Sequence, residues 1–206
     1  MIIFAAQIKQ LKMKALFDLI DPKAKQQLVD AISQITVLIA GAEGKINKEE
    51  TEWAEKLTKI RSFSHHKSLQ AFYETVGLDF HEKLHDLIES LPSDTEARTK
   101  ILTDRLAEVD PILQKLPVDL GARLYKSFTS FAKHVAKSSG GFLGFGAISA
   151  KEDKLIKLTM LTPIIGTDED EDGDEDDQEE PRHVRRLGGP HRRRLPPRPP
   201  SIWVGA

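Results

Sequence analysis

Two histidines and a glutamate form the most recognisable chemical pattern in this chain. His81-Glu82-Lys83-Leu84-His85 matches His-Glu-x-x-His, in which two imidazoles one helical turn apart bind zinc and the glutamate acts as a general base. On a helix whose apolar face is centred on Leu84, Glu82 is expected on the opposite side, toward solvent. Charged residues also stand between and just after the histidines, where zinc-peptidase helices usually keep uncharged ones. We therefore expect an exposed histidine pair, with a zinc hydrolase as a remote alternative.

A second pattern, Gly-x-Ile-(Asn/Ser)-x-x-Glu, occurs twice. One copy runs from Gly44 to Glu50 and the other from Gly146 to Glu152. An Asn or Ser followed three residues later by Glu is typical of a helix start with a capping box. The two corners also carry carboxylates, those of Glu43, Glu50, Glu152 and Asp153. If the corners meet in the folded chain, these carboxylates would offer the oxygen ligands that hard divalent cations prefer.

Helices must position these residues, because nearly every strong periodicity in the chain is helical. Apolar residues recur at spacings of three and four, and capping and turn residues separate such stretches. Helices are predicted after Asp21, Asn47, Ser64, Asp79, Ser93 and Ser149, with a long one through Leu120–Val135. The sequence contains no hairpin or β-α-β pattern. It thus predicts an all-α fold, a single compact domain of about seven helices.

The ends of these helices are also predicted. The helix that begins after Asp21 is expected to run to Ala42, and Gly44 is expected to adopt a left-handed backbone conformation after it. Capping boxes are expected for two further pairs of residues, Asp79 with Glu82 and Ser93 with Glu96.

The repeated corners resemble the signature of the TerB-like family, the helical domain of tellurite-resistance and related stress proteins. That signature is an alanine-rich helix end followed by Asp-Gly-x-Ile-x-x-x-Glu, with a related phrase near the C-terminus of the domain. Residues 39–50 resemble the first phrase and residues 146–152 the second, and the likeness covers residues 22–162. The chain departs from the pattern at two positions. Glu43 stands where the family has Asp, and Phe145 stands where the second copy would carry an acid.

The resemblance implies an all-helical, non-enzymatic stress-response module of the tellurite-resistance type. It also implies that the helix-start acids bind a divalent metal (calcium, magnesium or manganese) or a partner protein. The candidate metal ligands are Glu43, Glu50, Glu152 and Asp153. The alternative is a helical adaptor or scaffold that binds other proteins through its N-terminal helix or its tail.

The charge of the chain divides it into a body and a tail. Residues 1–167 hold 23 Lys and Arg against 21 Asp and Glu, whereas residues 168–206 hold 11 acidic residues followed by 7 arginines and no lysine. A balanced body and a segregated tail indicate a folded unit and a solvated segment. We predict an amphipathic N-terminal helix at 1–20, the TerB-like domain at 21–165 and a disordered tail at 166–206.

The tail contains several short patterns. Residues 168–179 match a calcium-binding loop, but their almost wholly acidic composition satisfies that pattern without the flanking helices it needs. Residues 193–199 have the form of a polyproline II ligand for an SH3-type domain. The arginine clusters would equally suit nucleic acid or phospholipid, or fold back on the acidic run. A fusion scar or a shifted reading frame would leave the same composition.

The cysteine content and the length of the apolar stretches limit which partners and which compartment we expect. The chain has no cysteine, which excludes disulfides, thiolate metal sites and direct thiol-based reduction of an oxyanion. No stretch is apolar for the roughly 18–20 residues that span a bilayer. We expect a cytoplasmic protein with a protein partner and without a specific nucleic-acid partner. The N-terminal stretch is expected to pack on its own domain rather than on a membrane surface.

Overall fold

The structure, a computed structural model, describes residues 20–64, 67–138 and 150–166. The predictions for the N-terminal helix, for Ser149 and for the tail from residue 167 onward concern residues outside these ranges. All of the described residues belong to one compact unit.

Eight helices account for most of the described residues, and no strand occurs among them, so the predicted all-α fold is confirmed. In chain order they are α1 Pro22–Ala40, α2 Lys48–Ser64, α3 Lys67–Gly77, α4 Phe80–Ser90, α5 Thr95–Ala107, α6 Asp110–Lys115, α7 Val118–Ser138 and α8 Ala150–Ile156. Short turns join most of them, as is usual for antiparallel helical neighbours.

Helix α1 is the centre of the fold. From Ala31 to Ala42 the chain has no charged residue, and nearly every side chain in the second half of the helix is buried. A helix that is apolar around its whole circumference has to be enclosed by other elements. Helices α2, α3, α4, α5, α7 and α8 all contact α1. The longest helix, α7, packs along it and presents Phe128 and Phe131 to the same core.

A buried arginine joins three of these helices. Arg61 on α2 is fully buried, and its Nη1 donates to the Tyr73 hydroxyl at 2.8 Å and to the Ser127 carbonyl at 2.9 Å. Its Nη2 donates to the hydroxyl of Ser130 at 3.0 Å. The guanidinium carbon also lies 5.4 Å from the ring centroids of Tyr73 and Phe131, within the range of cation–π attraction. One side chain thus ties α2 to α3 and α7 from inside the core.

The helix caps confirm some of the sequence predictions and correct others. Asp21 caps α1 as predicted, since its carboxylate accepts from the backbone N–H groups of Lys23 and Ala24. Helix α1 ends at Ala40 rather than Ala42.

The two predicted capping boxes on the following helices are wrong. Asp94, not Ser93, caps α5, by accepting from the N–H of Ala97 at 2.8 Å. Asp79 makes no capping bond to α4, because its carboxylate instead lies 3.1 Å from the Lys83 ammonium. In both places a neighbouring group competes for the same local hydrogen bonds.

The segment after α8 is held by α6 and α7. The Asp110 carboxylate accepts from both the backbone N–H of Thr162, at 2.7 Å, and its hydroxyl, at 3.0 Å. A Cβ at Gly121 would lie 2.8 Å from the Leu113 carbonyl and 3.1 Å from Ile164, so only glycine allows this approach. Leu158, the residue that redirects the chain after α8, is fully buried and has a positive φ of 42°.

We expect Arg61→Ala to lower the free energy of unfolding by about 2–5 kcal/mol, because it removes the hydrogen bonds to α3 and α7 and leaves a cavity in the core. Urea denaturation should show a lower midpoint at an unchanged m value. Lys56→Ala, an exposed position on the same helix, is the control and should change stability by less than about 0.5 kcal/mol. Equal midpoints for the two variants would contradict a structural role for Arg61.

Candidate functional site

The first corner connects the end of α1 to the start of α2. Asn47 caps α2, because its side-chain oxygen accepts from the N–H of Glu49 at 2.9 Å and, more weakly, from that of Glu50 at 3.4 Å. Gly44 has a φ of +116°, which confirms the predicted need for glycine there. The corner therefore has the local geometry that its sequence indicates.

The second half of the predicted capping box is absent at this corner. A capping box would have the Glu50 carboxylate accept from the N–H of Asn47. That N–H instead donates to the carbonyl of Ala40 at 2.8 Å and so satisfies the end of α1. Glu50 is nevertheless 1% exposed. A bond to the Asn47 N–H therefore does not explain why the Glu50 carboxylate is buried.

Arg98 binds the first corner although it lies more than fifty positions away in the sequence. It lies on α5 and is 4% exposed, and its Nη2 donates to the carbonyl oxygens of Gly41 at 2.8 Å and Gly44 at 2.6 Å. A Cβ at Gly41 would lie 2.9 Å from the Arg98 Nε, so a side chain there would collide with the guanidinium. These two carbonyls are thus held by an internal cation.

The four predicted ligands fall into two classes. Glu50 and Glu152 occupy equivalent positions in the two corners and are both buried, with 1% and 7% exposure. Glu43 and Asp153 are exposed, and Asp153 pairs with Lys157 at 3.2 Å. The helices that carry the buried pair, α2 and α8, contact the same two helices, α1 and α7. The two buried glutamates thus lie on helices that pack against the same pair of helices.

In the part of the chain that the structure describes, one group of three acidic or histidine residues brings its ligand atoms within 4.8 Å of one another. This group consists of His85, Asp86 and Glu89, all exposed on α4, and it includes none of the four predicted ligands. Exposed acidic groups of this kind are common without a metal.

The His-Glu-x-x-His histidines have separate partners. His81 Nδ1 lies 3.1 Å from the Glu55 carboxylate on α2, whereas His85 Nε2 lies 3.7 Å from Glu89 on its own helix. Glu82 is exposed, as expected from its position opposite Leu84. The arrangement therefore resembles two separate histidine–carboxylate contacts at the surface, and not a zinc centre with a general base beside it.

Glu55 lies at the centre of the cluster that includes His81. The Lys59 ammonium donates to Glu55 Oε1 at 2.8 Å, and this hydrogen bond, followed by that of His81, lowers the Glu55 pKa below its ordinary value of 4.5. Partial burial acts in the opposite direction. A carboxyl with a lowered folded-state pKa stabilises the fold above its unfolded pKa and loses that contribution as the pH falls.

No known protein family, curated protein or solved structure matches this chain. None of the helices in the described ranges combines the length and the apolarity needed to cross a membrane.

We expect Gly44→Ala to lower the free energy of unfolding by about 1–3 kcal/mol, because an L residue is strained at this positive φ. The space beside Gly44 is open, with Thr95 the nearest side chain at 3.7 Å, so the cost isolates the backbone conformation. Gly77→Ala is the matched control: its Cβ would meet nothing within 4 Å and its φ is not positive, so it should change stability by less than about 0.5 kcal/mol. Thermal unfolding of both variants measures the contrast, and a Gly44→Ala protein as stable as Gly77→Ala would contradict it.

We expect the stability difference between the wild type and Glu55→Gln to be largest above pH 4.5 and to shrink as the pH falls below that value. Urea denaturation at a series of pH values from 6 to about 3 measures it. In a Lys59→Ala, His81→Ala background the same substitution should have a nearly pH-independent effect. A pH dependence that survives in this background would assign it to other groups.

Proposed function

We propose that this chain is a non-enzymatic, TerB-like stress-response module of the tellurite-resistance type, which binds a divalent cation through Glu50 and Glu152. The observation that supports the proposal is the burial of both glutamates at matching positions of the repeated corner. Both glutamates already make interactions within the protein, and a cation would bind in addition to these. Two such groups, on helices that pack against the same pair of helices, suit a hard cation such as calcium, magnesium or manganese.

The acidic residues named above could hold such a cation, although they offer it few ligands. Glu50 and Glu152 would supply carboxylate oxygens, while the exposed Glu43 and Asp153 would attract the cation electrostatically. The carbonyls of the first corner are engaged by Arg98 and would not contribute. The bound ion would neutralise the buried charge and hold the two corners together, which is a structural rather than a catalytic role. The absence of cysteine from the sequence suits a cytoplasmic setting.

A protein-binding adaptor is the second candidate function, and the exposed apolar side chains favour it. Phe63 at the end of α2 is 83% exposed, and Leu78 after α3 is 84% exposed. Aromatic and aliphatic groups of this size, presented to solvent on helix ends, are typical anchors for a partner protein. Pull-down with Phe63→Ser and Leu78→Ser variants would separate this function from metal binding.

We expect Ca²⁺, Mg²⁺ or Mn²⁺ to raise the unfolding temperature of the full chain, since a ligand at 100 times its Kd stabilises a protein by about 2.7 kcal/mol. The double variant Glu50→Gln, Glu152→Gln should lose this increase and the binding heat in calorimetry. Glu49→Gln, an exposed acid in the same first helical turn, is the control and should retain both.

Measurements in excess chelator distinguish a metal site from a hydrogen-bonded pair of acids. If the glutamates serve as metal ligands, the double variant should be at least as stable as the wild type without metal, because it buries no negative charge. If their role is to accept internal hydrogen bonds, the double variant should be less stable at every metal concentration. Retained cation binding in the double variant would contradict the proposed site.

A further inference from the structure

A groove beside the start of α1 lies apart from both corners. Its volume is about 440 Å³, and it is formed by the first turn of α1 and by α6 with the turn that follows it. The residues that line it are Ile20, Asp21, Ala24, Ile112, Lys115, Leu116 and Pro117. Cavities of about 150 Å³ lined by aliphatic side chains hold a benzene ring, so this groove has room for several apolar side chains.

The groove is a partly open edge of the main core. Ile20, Ile112 and Leu116 pack against the buried core cluster on one side and remain partly exposed on the other. Val118, next to Pro117, is 57% exposed. Leaving such apolar surface in water is unfavourable. The groove therefore suits an apolar occupant.

We propose that the occupant is the chain's own N-terminal segment, residues 1–19. Leu19, the last residue of the segment, is joined directly to Ile20 in the groove wall, so the segment reaches the groove without any connecting loop. Asp21 has a non-helical backbone, with φ −48° and ψ 133°, and so α1 does not continue backwards as a straight helix. This change of direction allows the segment to turn across α6.

The composition of the segment complements the groove. Phe4, Ile8, Leu11, Ala15 and Leu19 recur at helical spacings and would present an apolar stripe to the groove. Asp18 is the only acidic residue in the segment, and it lies two positions before Ile20. Lys115 is the one basic side chain among the groove residues. The Asp21 carboxylate is already engaged in capping α1, so the charge of Lys115 suits Asp18.

Crosslinking tests this placement in the full-length chain, because the sequence has no cysteine of its own. Ala15→Cys combined with Leu116→Cys should form an intramolecular disulfide at least about fivefold faster than Gln10→Cys combined with Leu116→Cys. Gln10 lies on the far side of the predicted helix from Ala15, since each residue advances about 100°. Mass spectrometry at micromolar protein concentration separates intramolecular from intermolecular products. Equal rates for the two pairs, or intermolecular disulfides alone, would overturn the proposal, the latter in favour of a second copy.

Hydrogen exchange on the unsubstituted protein provides an independent measurement. The backbone amides of residues 5–19 should exchange at least about tenfold more slowly than in a free peptide of the same sequence. The Leu116→Asp variant should lose this protection, while α1 and α7 keep theirs. Free-peptide exchange rates in the wild type would overturn the proposal. So would protection that develops only with phosphatidylserine vesicles, because it would place the segment on a membrane.

Discussion

The fold depends on burying α1. The sides of this helix are apolar, but the carbonyl groups at its C-terminal end are polar and must be buried too. The last carbonyl groups of a helix have no partner within it and are costly to remove from water. Here the N–H groups of Gly41 and Ala42 reach back to Val37 and Ile39, the N–H of Asn47 reaches Ala40, and Arg98 reaches Gly41 and Gly44. The first corner, together with Arg98, supplies the hydrogen-bond donors that allow the end of α1 to be buried. Six other helices can then pack around α1.

Most of the secondary structure could be predicted from the sequence because it is encoded locally. Apolar spacing locates the helices, and Asp21 and Asn47 mark their starts through hydrogen bonds within three residues. The capping boxes predicted at Asp79 and Ser93 are wrong for an equally local reason. Lys83 pairs with the Asp79 carboxylate, and Asp94 caps α5 in place of Ser93. The two arginine networks were not predicted, because they join residues more than fifty positions apart. A clue was present in the composition: residues 1–167 contain 19 lysines and only 4 arginines, and two of those arginines are buried. A guanidinium provides several donors in a fixed plane, which an ammonium cannot do.

The candidate site shows the same division between local and tertiary information. The repeated motif locates Glu50 and Glu152 at equivalent helix starts, and capping chemistry alone predicts exposed, helix-bound carboxylates at both. The burial of both residues depends on how α2 and α8 pack against α1 and α7, which no local pattern contains. Arg98 binds the Gly41 and Gly44 carbonyls, which is an equally non-local contact. It reduces the number of oxygen ligands that the corner can offer to a cation. The TerB-like resemblance remains a hypothesis based on the repeated motif in the sequence.

The contacts of the short helix α6 have a consequence for the topology. Ile20 and Asp21 share a groove with Ile112 and Leu116, while Thr162 is bonded to Asp110 and to Gln114 on the same six-residue helix. Ile20 and Thr162 therefore meet one element, although they lie far apart in the sequence. A folded body of this kind is suited to circular permutation, with residues 20 and 162 joined by a short peptide near α6 and new ends opened in the turn between α4 and α5. The same property would let the domain be inserted as a unit into a surface loop of another protein.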